Sequence, residues 1–263
     1  MQHRLLVSTA ALATLVTLAF GSGSSSQGDY VYEPEAVSIT APWAEMALPL
    51  ADGVVEDSDA NGVTVRIYAE GSPNTTVVYF HGGGFVRGSI QSHDGLFRRL
   101  ANYGGFSVLS VDYRLAPEHK FPAAVDDAYA VLRWVQEHGA EKGLDSSKIA
   151  VAGDSSGGNL AAVAVQDAKR EGTPLPLFQL LIYPTIDANF TAPSHTLFAS
   201  GFFLTSEKMN WYRDHYLNTA EDRNHERASP GLTEDLTGLP PALIITAGFD
   251  PLRDEAEEYA GRL

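Results

Sequence analysis

Residues 148–158 read Lys-Ile-Ala-Val-Ala-Gly-Asp-Ser-Ser-Gly-Gly and place a serine in a glycine-flanked turn directly after a short apolar run. The turn, Gly153-Asp154-Ser155-Ser156-Gly157, fits the Gly-x-Ser-x-Gly pattern, in which a sharp strand-to-helix bend exposes a serine hydroxyl at the top of a sheet. The glycines are needed because the strained bend leaves no room for side chains at either flank. The stretch therefore predicts a buried strand, a nucleophile elbow with Ser155 at its tip, and a helix that begins close to the sheet.

A second glycine motif lies upstream. His81-Gly82-Gly83-Gly84 directly follows the apolar run 76–80. Backbone amides of Gly83 and Gly84, together with that of Ser156, are predicted to form an oxyanion hole, in which each donor contributes about 2.7–4 kcal/mol to transition-state stabilisation. His81 is expected to fix this loop by hydrogen bonding. Either motif alone occurs by chance in flexible loops, but the two together, each at the end of a predicted strand, favour acyl-transfer chemistry.

A further candidate site residue is an aspartate near the end of the sequence. Asp250 stands just beyond the apolar run 242–246, ahead of Pro251. A carboxylate there can orient an imidazole that takes the proton of a nucleophilic serine. The alternative role is that of a helix N-cap, with Pro251 at the first helical position. The two roles are compatible, and Asp254 is interpreted as a helix-surface residue.

The fold class follows from the runs between these motifs. Most predicted strands are continuously apolar, as expected for strands buried on both faces of a mainly parallel sheet. Residues 122–137 carry a helical apolar face, with Pro122 at its start. An α/β fold with a central sheet flanked by helices is predicted. The predicted strands are 63–68, 76–80, 107–111, 148–152, 178–182 and 242–246.

Two stretches interrupt this alternation. Residues 33–54 contain prolines and show no regular period, and residues 183–216 are rich in aromatic side chains. The aromatic stretch is interpreted as a lid over an apolar substrate, and the alternative is that its rings are the core of a helical layer. Residues 57–59, Asp-Ser-Asp, are expected to form a solvated turn rather than a metal site.

Composition narrows the function classes. The chain has 263 residues, 44% of them apolar, a formal net charge of −15 and no cysteine. The charge argues against nucleic acids and anionic membrane surfaces as partners and favours neutral or cationic small molecules. Without cysteine, disulfides, thiolate metal sites and thiol catalysis are excluded.

The first residues resemble a secretory signal peptide. His3 and Arg4 precede a mostly apolar stretch over residues 5–20, which small residues follow. Residues 1–21 are therefore predicted to be a cleaved signal peptide, giving a secreted or periplasmic protein with no stable membrane span. The alternative is an uncleaved anchor, for which about sixteen apolar residues are short against the roughly twenty that a span requires.

The motifs together resemble the hormone-sensitive-lipase-like (bacterial family IV) esterases of the α/β-hydrolase superfamily. The quoted signatures are His81-Gly82-Gly83-Gly84-Phe85, residues 112–119 (Asp-Tyr-Arg-Leu-Ala-Pro-Glu-His), residues 153–158 and residues 250–254. The resemblance implies a hydrolase domain over residues 62–263 with a cap built from residues 22–61 and an insertion at about 184–216. It also implies cleavage of short- to medium-chain carboxylic esters by Ser155 and Asp250 without cofactor or metal. It does not predict the oligomeric state.

One departure from the family pattern concerns the general base. In such enzymes the triad histidine follows the acid by about thirty residues, whereas the present sequence has no histidine after His225. We therefore expect a C-terminally truncated sequence, with the last strand and helix missing and turnover impaired. The alternatives are a naturally short chain that has lost its base and a catalytically silent small-molecule-binding protein on the same scaffold. His195 and His215, in the aromatic stretch, are the candidate substitutes for the base, His119 is expected to be packed, and all histidines after the glycine loop other than His119 are expected to be solvated.

Overall fold

A seven-stranded, mainly parallel sheet organises the protein, as a computed structural model shows for residues 53–70 and 75–263. The predicted signal peptide and most of the predicted N-terminal cap segment lie outside the described residues. The spatial order is β1-β2-β4-β3-β5-β6-β7. The strands are β1 (Gly53–Ala60), β2 (Val63–Glu70), β3 (Thr76–Phe80), β4 (Ser107–Val111), β5 (Ile149–Asp154), β6 (Phe178–Ile182) and β7 (Ala242–Ile245).

Strand direction brings the predicted motifs to one edge of the sheet. β1 and β4 pair antiparallel with β2, and the pairings β3–β4, β3–β5, β5–β6 and β6–β7 are parallel. Phe80 is in register with Gly153, and Ile182 is in register with both Asp154 and Ile245. The carboxyl ends of β3, β5, β6 and β7 therefore meet, which is where open α/β sheets bind ligands.

Helices cover both faces of this sheet. α3 begins at the elbow, and every residue from its first turn to Ala168 is buried, because its small and aliphatic side chains lie against β5 and β6. Within the described residues, no helix is long and apolar enough to cross a membrane. The helices are α1 (Ile90–Gly104), α2 (Ala123–His138), α3 (Ser156–Arg170), α4 (Pro193–Leu197), α5 (Ser206–Tyr216) and α6 (Arg253–Arg262), with short 3₁₀ segments at Gly139–Lys142, Glu221–Asn224 and Pro230–Leu232.

The predicted α/β class and all six predicted strands are confirmed, but two expectations at the start of the domain were wrong. The sheet begins at Gly53 rather than near Gly62, and residues 57–59 lie in β1 instead of a solvated turn. β1 is an edge strand whose charged side chains face solvent, and Asp57 forms a two-point ion pair with Arg66 of β2. Polar edge strands of this kind lack the continuous apolar run that marks a buried strand.

Candidate active site

Ser155 occupies the strained tip of the elbow between β5 and α3. Its φ is 54° and its ψ is −118°, a backbone conformation that non-glycine residues rarely adopt. A Cβ on Gly157 would overlap the carbonyl oxygen of Phe80, and one on Gly153 would overlap the backbone of Gly157. The glycines of the motif are therefore required by close backbone packing, as the sequence predicted.

The glycine loop after β3 presents its amides beside the elbow. Gly83 has φ +130° and Gly84 has φ +63°, and the carbonyl oxygen of Gly83 accepts hydrogen bonds from Val86 N and Arg87 N at 3.2 and 3.1 Å. Within residues 53–70 and 75–263, neither the amide of Gly83 nor that of Gly84 donates to a protein acceptor. Both donors are thus held in a fixed loop and remain available to a ligand.

Asp154 ties the glycine loop to the elbow. Its Oδ1 accepts from the backbone N of Gly82 at 3.0 Å and from the Tyr79 hydroxyl at 3.1 Å. The two loops that carry the predicted oxyanion donors are therefore connected through one carboxylate that directly precedes Ser155.

His81 anchors the other end of the glycine loop. The ring is fully buried, its Nδ1 donates to the carbonyl oxygen of Gly82 at 2.8 Å, and the Tyr113 hydroxyl donates to the His81 carbonyl at 2.6 Å. Burial lowers the pKa of His81, which favours the neutral imidazole. This geometry agrees with the structural role expected for His81.

A cavity of about 820 Å³ opens over the elbow and brings together four of the five predicted catalytic and oxyanion-hole residues, whereas Ser156 does not line it. Ser155, Gly83, Gly84 and Asp250 all line it. Its remaining walls are mostly apolar and come from the insertion and from the loop after β7, and they include Phe190, Phe203, Leu204, Met209, Tyr212, Tyr216, Leu217 and Phe249.

Asp250 lines the cavity, where its role as a triad acid stays a prediction, but the N-cap role that its sequence position suggested was wrong. α6 begins at Arg253 with Leu252 as its N-cap and no side-chain cap, and Asp250 Oδ1 instead accepts from the backbone N of Leu252 at 3.0 Å in the preceding turn. Burial raises the pKa of Asp250, a shift that the Leu252 amide and the nearby His195 oppose. A partly desolvated carboxylate at this position is suited to stabilise a neighbouring imidazolium.

The insertion is fastened to the start of α6 by polar contacts that the sequence did not reveal. Ser194 donates from its hydroxyl to the carbonyl oxygen of Pro251 and from its backbone N to Asp254 Oδ2, the latter at 2.9 Å. Asp254 is thus half-buried and bonded rather than a free surface residue. The loop that carries Asp250 is held against the insertion.

His195 is buried in this junction and does not line the cavity. Its Nε2 donates to Glu255 Oε2 at 2.6 Å, and Glu255 Oε1 accepts from the backbone N of Ile186 at 2.7 Å and of Asp187 at 3.4 Å. Burial raises the pKa of Glu255. The expectation that His195 is solvated was wrong, and its engagement with Glu255 removes it as a substitute base.

His93 is the residue of this site that the sequence analysis missed. It lies in the first turn of α1, lines the cavity, and places its Nε2 3.6 Å from Asp154 Oδ1. The Ser89-x-x-Ser92 capping box that starts α1 was a usable signal, because it places residue 93 just after the glycine loop. His119, expected to be packed, is exposed.

The aromatic insertion contributes both to the core and to the wall of the cavity, and its role as a lid stays a prediction. Phe198, Met209 and Tyr216 are buried, and the Tyr216 ring stacks on Phe85 with centroids 3.8 Å apart. In contrast, Phe203 is 94% exposed at the mouth of the cavity. One face of the insertion is therefore core and the other forms the wall of the cavity.

Comparison with known proteins agrees with this geometry. A family model described as alpha/beta hydrolase fold matches residues 77–263, and the chain belongs to this family. The resemblance to the hormone-sensitive-lipase-like esterases is confirmed by relatives that are named as esterases and carboxylic ester hydrolases.

Two relatives illustrate the match. The carboxylic ester hydrolase LipN of Mycobacterium tuberculosis is 46% identical over 199 residues, which cover 73% of this chain and 53% of LipN. The ethyl acetate hydrolase of Pseudomonas putida is 36% identical over 235 residues, covering 87% and 74% of the two chains. The chain thus spans about half the length of LipN and 65% of the M. tuberculosis esterase LipI.

Solved structures show the same fold. The hyperthermophilic esterase of the archaeon Pyrobaculum calidifontis superposes with a TM-score of 0.77 at 44% identity, over 83% of this chain and 73% of that esterase. The thermostable carboxylesterase EstE1, from a metagenomic library, gives a TM-score of 0.76 at 45% identity, over 81% and 75%.

Proposed function

We propose that the protein is a serine carboxylesterase that cleaves short- to medium-chain carboxylic esters through an acyl-enzyme. The observation that carries this proposal is the shared cavity, into which Ser155, the free amides of Gly83 and Gly84, and Asp250 all open. The names of the relatives support the same reaction class.

The chemistry assigns a role to each group. Ser155 Oγ attacks the ester carbonyl carbon while a base takes its proton, and the amides of Gly83, Gly84 and Ser156 stabilise the oxyanion. The alkoxide leaves with that proton, and the acyl group remains on Ser155. Water, activated by the same base, then attacks the acyl-enzyme and releases the carboxylic acid.

The identity of the base determines how fast this chain turns over. Among the histidines of the described residues, His93 is the one that lines the cavity, and its Nε2 faces Asp154 rather than Asp250. We propose that no imidazole in the described part of the chain serves Ser155 and Asp250 as a triad base. Turnover is then expected to be slow by several orders of magnitude, with the oxyanion hole leaving a residual rate.

Hydrolysis of nitrophenyl acetate with added imidazole tests this proposal. Imidazole binding beside Asp250 is expected to raise the rate in the native chain and not in Ser155→Ala, which also corrects for direct hydrolysis by imidazole. Asp250→Asn is expected to weaken the rescue. A fast native reaction that His93→Gln abolishes would instead identify His93 as the base, and equal rates for the native chain and Ser155→Ala would refute the proposed nucleophile.

A second candidate function is ligand binding without turnover. It is favoured by the same observation, a large cavity whose described lining offers His93 as its sole histidine. Saturable binding of an ester that remains intact over hours, with or without imidazole, would support this candidate over the esterase.

We further propose that the protein is exported. The support is the basic and apolar pattern of residues 1–21. Expression in a bacterial host followed by mass spectrometry of the mature chain is expected to show an N-terminus at Ser22. An intact Met1 in the cytoplasmic fraction would contradict export.

A further inference from the structure

The wall of the cavity that α5 forms carries positive charge. The cavity-lining residues of this helix and the residue after it occur at spacings of one, four, five, eight and nine, which places them on one helical face. Such a face is normally apolar where it is directed inward, yet here it includes two cations. The lining residues are Lys208, Met209, Tyr212, Arg213, Tyr216 and Leu217.

A third cation reaches the same wall from the glycine loop. The Arg87 guanidinium lies 5.0 Å from the centre of the Tyr212 ring and donates to the Tyr212 hydroxyl. Lys208, one helical turn before Tyr212, lines the same cavity, and its Nζ lies 5.4 Å from the centre of the Phe203 ring. Gly84 contributes as well, since a Cβ there would overlap the Tyr212 ring. The cationic wall is therefore joined to the predicted oxyanion loop.

Two of these cations lack an acidic partner. In the part of the chain that the structure describes, no carboxylate lies within 4.0 Å of Arg87 or Lys208. Lys208 Nζ donates to the carbonyl oxygen of Phe203 at 2.8 Å, and Arg213 lies 3.5 Å from Asp214. By contrast, Arg66, Arg114 and Arg227 elsewhere in the protein are each paired with a carboxylate.

The acidic groups of the cavity are placed differently. Asp154 and Asp250 lie at the ends of β5 and β7, next to the elbow, and Asp154 Oδ1 is already engaged by Gly82 and Tyr79. His93 faces Asp154. The acids of the cavity thus lie next to the elbow, and the cations lie on the wall formed by α5 and the glycine loop. This local positive charge is opposite in sign to the net charge of the chain, which is −15.

We propose that this wall selects esters that carry an anionic group, such as the monoester of a dicarboxylic acid, with the ester carbonyl at Ser155 and the free carboxylate toward Arg87 and Lys208. The inference rests on the proposed esterase function and names its substrate class. It departs from the expectation, drawn from net charge alone, that ligands are neutral or cationic, because a ligand responds to the local charge of the wall in addition to the distant field.

Binding of uncleavable ethers tests the inference separately from catalysis. Equilibrium dialysis of the whole 263-residue chain would compare nitrophenyl pentyl ether with the matching nitrophenoxypentanoate, which differs by its terminal carboxylate. The native chain is expected to bind the anion about 10-fold more tightly than the neutral ether, with this advantage declining as salt is added. The measured quantity is the ratio of the two affinities. A substitution that damages the cavity in general weakens the binding of both ligands and therefore leaves this ratio unchanged.

Three variants locate the effect. Arg87→Gln and Lys208→Gln are each expected to reduce the ratio about 2- to 5-fold. Lys148→Gln removes the same charge at the opposite end of β5, where the side chain is exposed, and is expected to leave the ratio unchanged. A native ratio at or below one, undetectable binding of the anion, or a ratio that neither cavity variant lowers would overturn the inference. Hydrolysis of nitrophenyl acetate in the presence of imidazole, without anion preference, would refute this inference alone, and anion preference without hydrolysis even in the presence of imidazole would refute the esterase proposal alone.

Discussion

Replacing Glu255 by alanine is expected to destabilise the protein strongly, because this buried carboxylate links three segments around the candidate site. It is 4% exposed and accepts hydrogen bonds from Ile186, Asp187 and His195. The alanine variant leaves the backbone donors and the imidazole without an acceptor. Loss of one partner from a buried polar pair costs about 3–5 kcal/mol in free energy of unfolding.

The glutamine variant separates hydrogen bonding from charge. Its carbonyl oxygen can still accept from Ile186, but its amide faces the Nε2–H of His195. Accommodation requires the other imidazole tautomer, whose Nδ1–H has no hydrogen-bond partner among the described residues. The expected cost is about 1–3 kcal/mol, below that of the alanine variant.

The pH dependence gives an independent check. Because burial raises the pKa of Glu255, the folded chain holds this proton more tightly than the unfolded chain. Its contribution to stability is therefore complete below the unfolded pKa and is lost as pH rises through the folded pKa. Glu255→Gln is expected to remove this part of the slope of stability against pH.

Urea unfolding followed by tryptophan fluorescence measures both effects. The matched control is Glu258→Ala, which removes an exposed glutamate from the same helix and is expected to change the free energy of unfolding by less than about 0.5 kcal/mol. Equal destabilisation by the Glu255 and Glu258 alanine variants would refute the linking role. An unchanged pH slope in Glu255→Gln would refute the assignment of the raised pKa.

Three further substitutions test the scaffold of the site. Gly157→Ala is expected to lower the free energy of unfolding by at least about 1–3 kcal/mol, because its Cβ would overlap the end of β3. The control is Gly261→Ala, whose Cβ would meet open space and which is expected to leave this free energy unchanged. Thermal unfolding compares the two variants. Asp154→Ala is expected to lower the free energy of unfolding by about 1–3 kcal/mol, because the amide of Gly82 loses its acceptor. Faster hydrogen exchange at that amide would show the loss, and unchanged exchange would contradict the link between the two loops. Tyr113→Phe is expected to cost about 1 kcal/mol through the lost hydrogen bond to the first carbonyl of the glycine loop, and a midpoint of urea unfolding equal to that of the native chain would contradict this.

Features governed by local pattern could be predicted from the sequence. The parallel strands are continuous apolar runs because both of their faces are covered, and their ends could be placed within about two residues. The elbow and the glycine loop carry glycines where a side chain would strike backbone atoms, so their motifs reflect close packing. Ser155, Gly83 and Asp250 could be assigned to one site because parallel strands end at the same edge.

Features decided by contacts between distant residues could not be predicted in this way. β1 is held by antiparallel pairing with β2. Its charged residues, such as Asp57, give it a local sequence pattern that is typical of a solvated turn. The partnership of His195 with Glu255 joins residues that are 60 positions apart, and nothing local in either segment signals it. Likewise, a role for the cations on the α5 face in ligand binding could be inferred only after the structure showed that this face lines the cavity.

The central claim, that Ser155 is a nucleophile presented to the oxyanion amides, is tested most directly by trapping the acyl-enzyme. The chain would be mixed with nitrophenyl acetate and imidazole, quenched in acid, digested, and its peptides fragmented by mass spectrometry. The account predicts an acetyl group on Ser155 at a level that follows the early release of nitrophenol. Acetylation confined to other residues, or nitrophenol release with Ser155 unmodified and unchanged in Ser155→Ala, would contradict it.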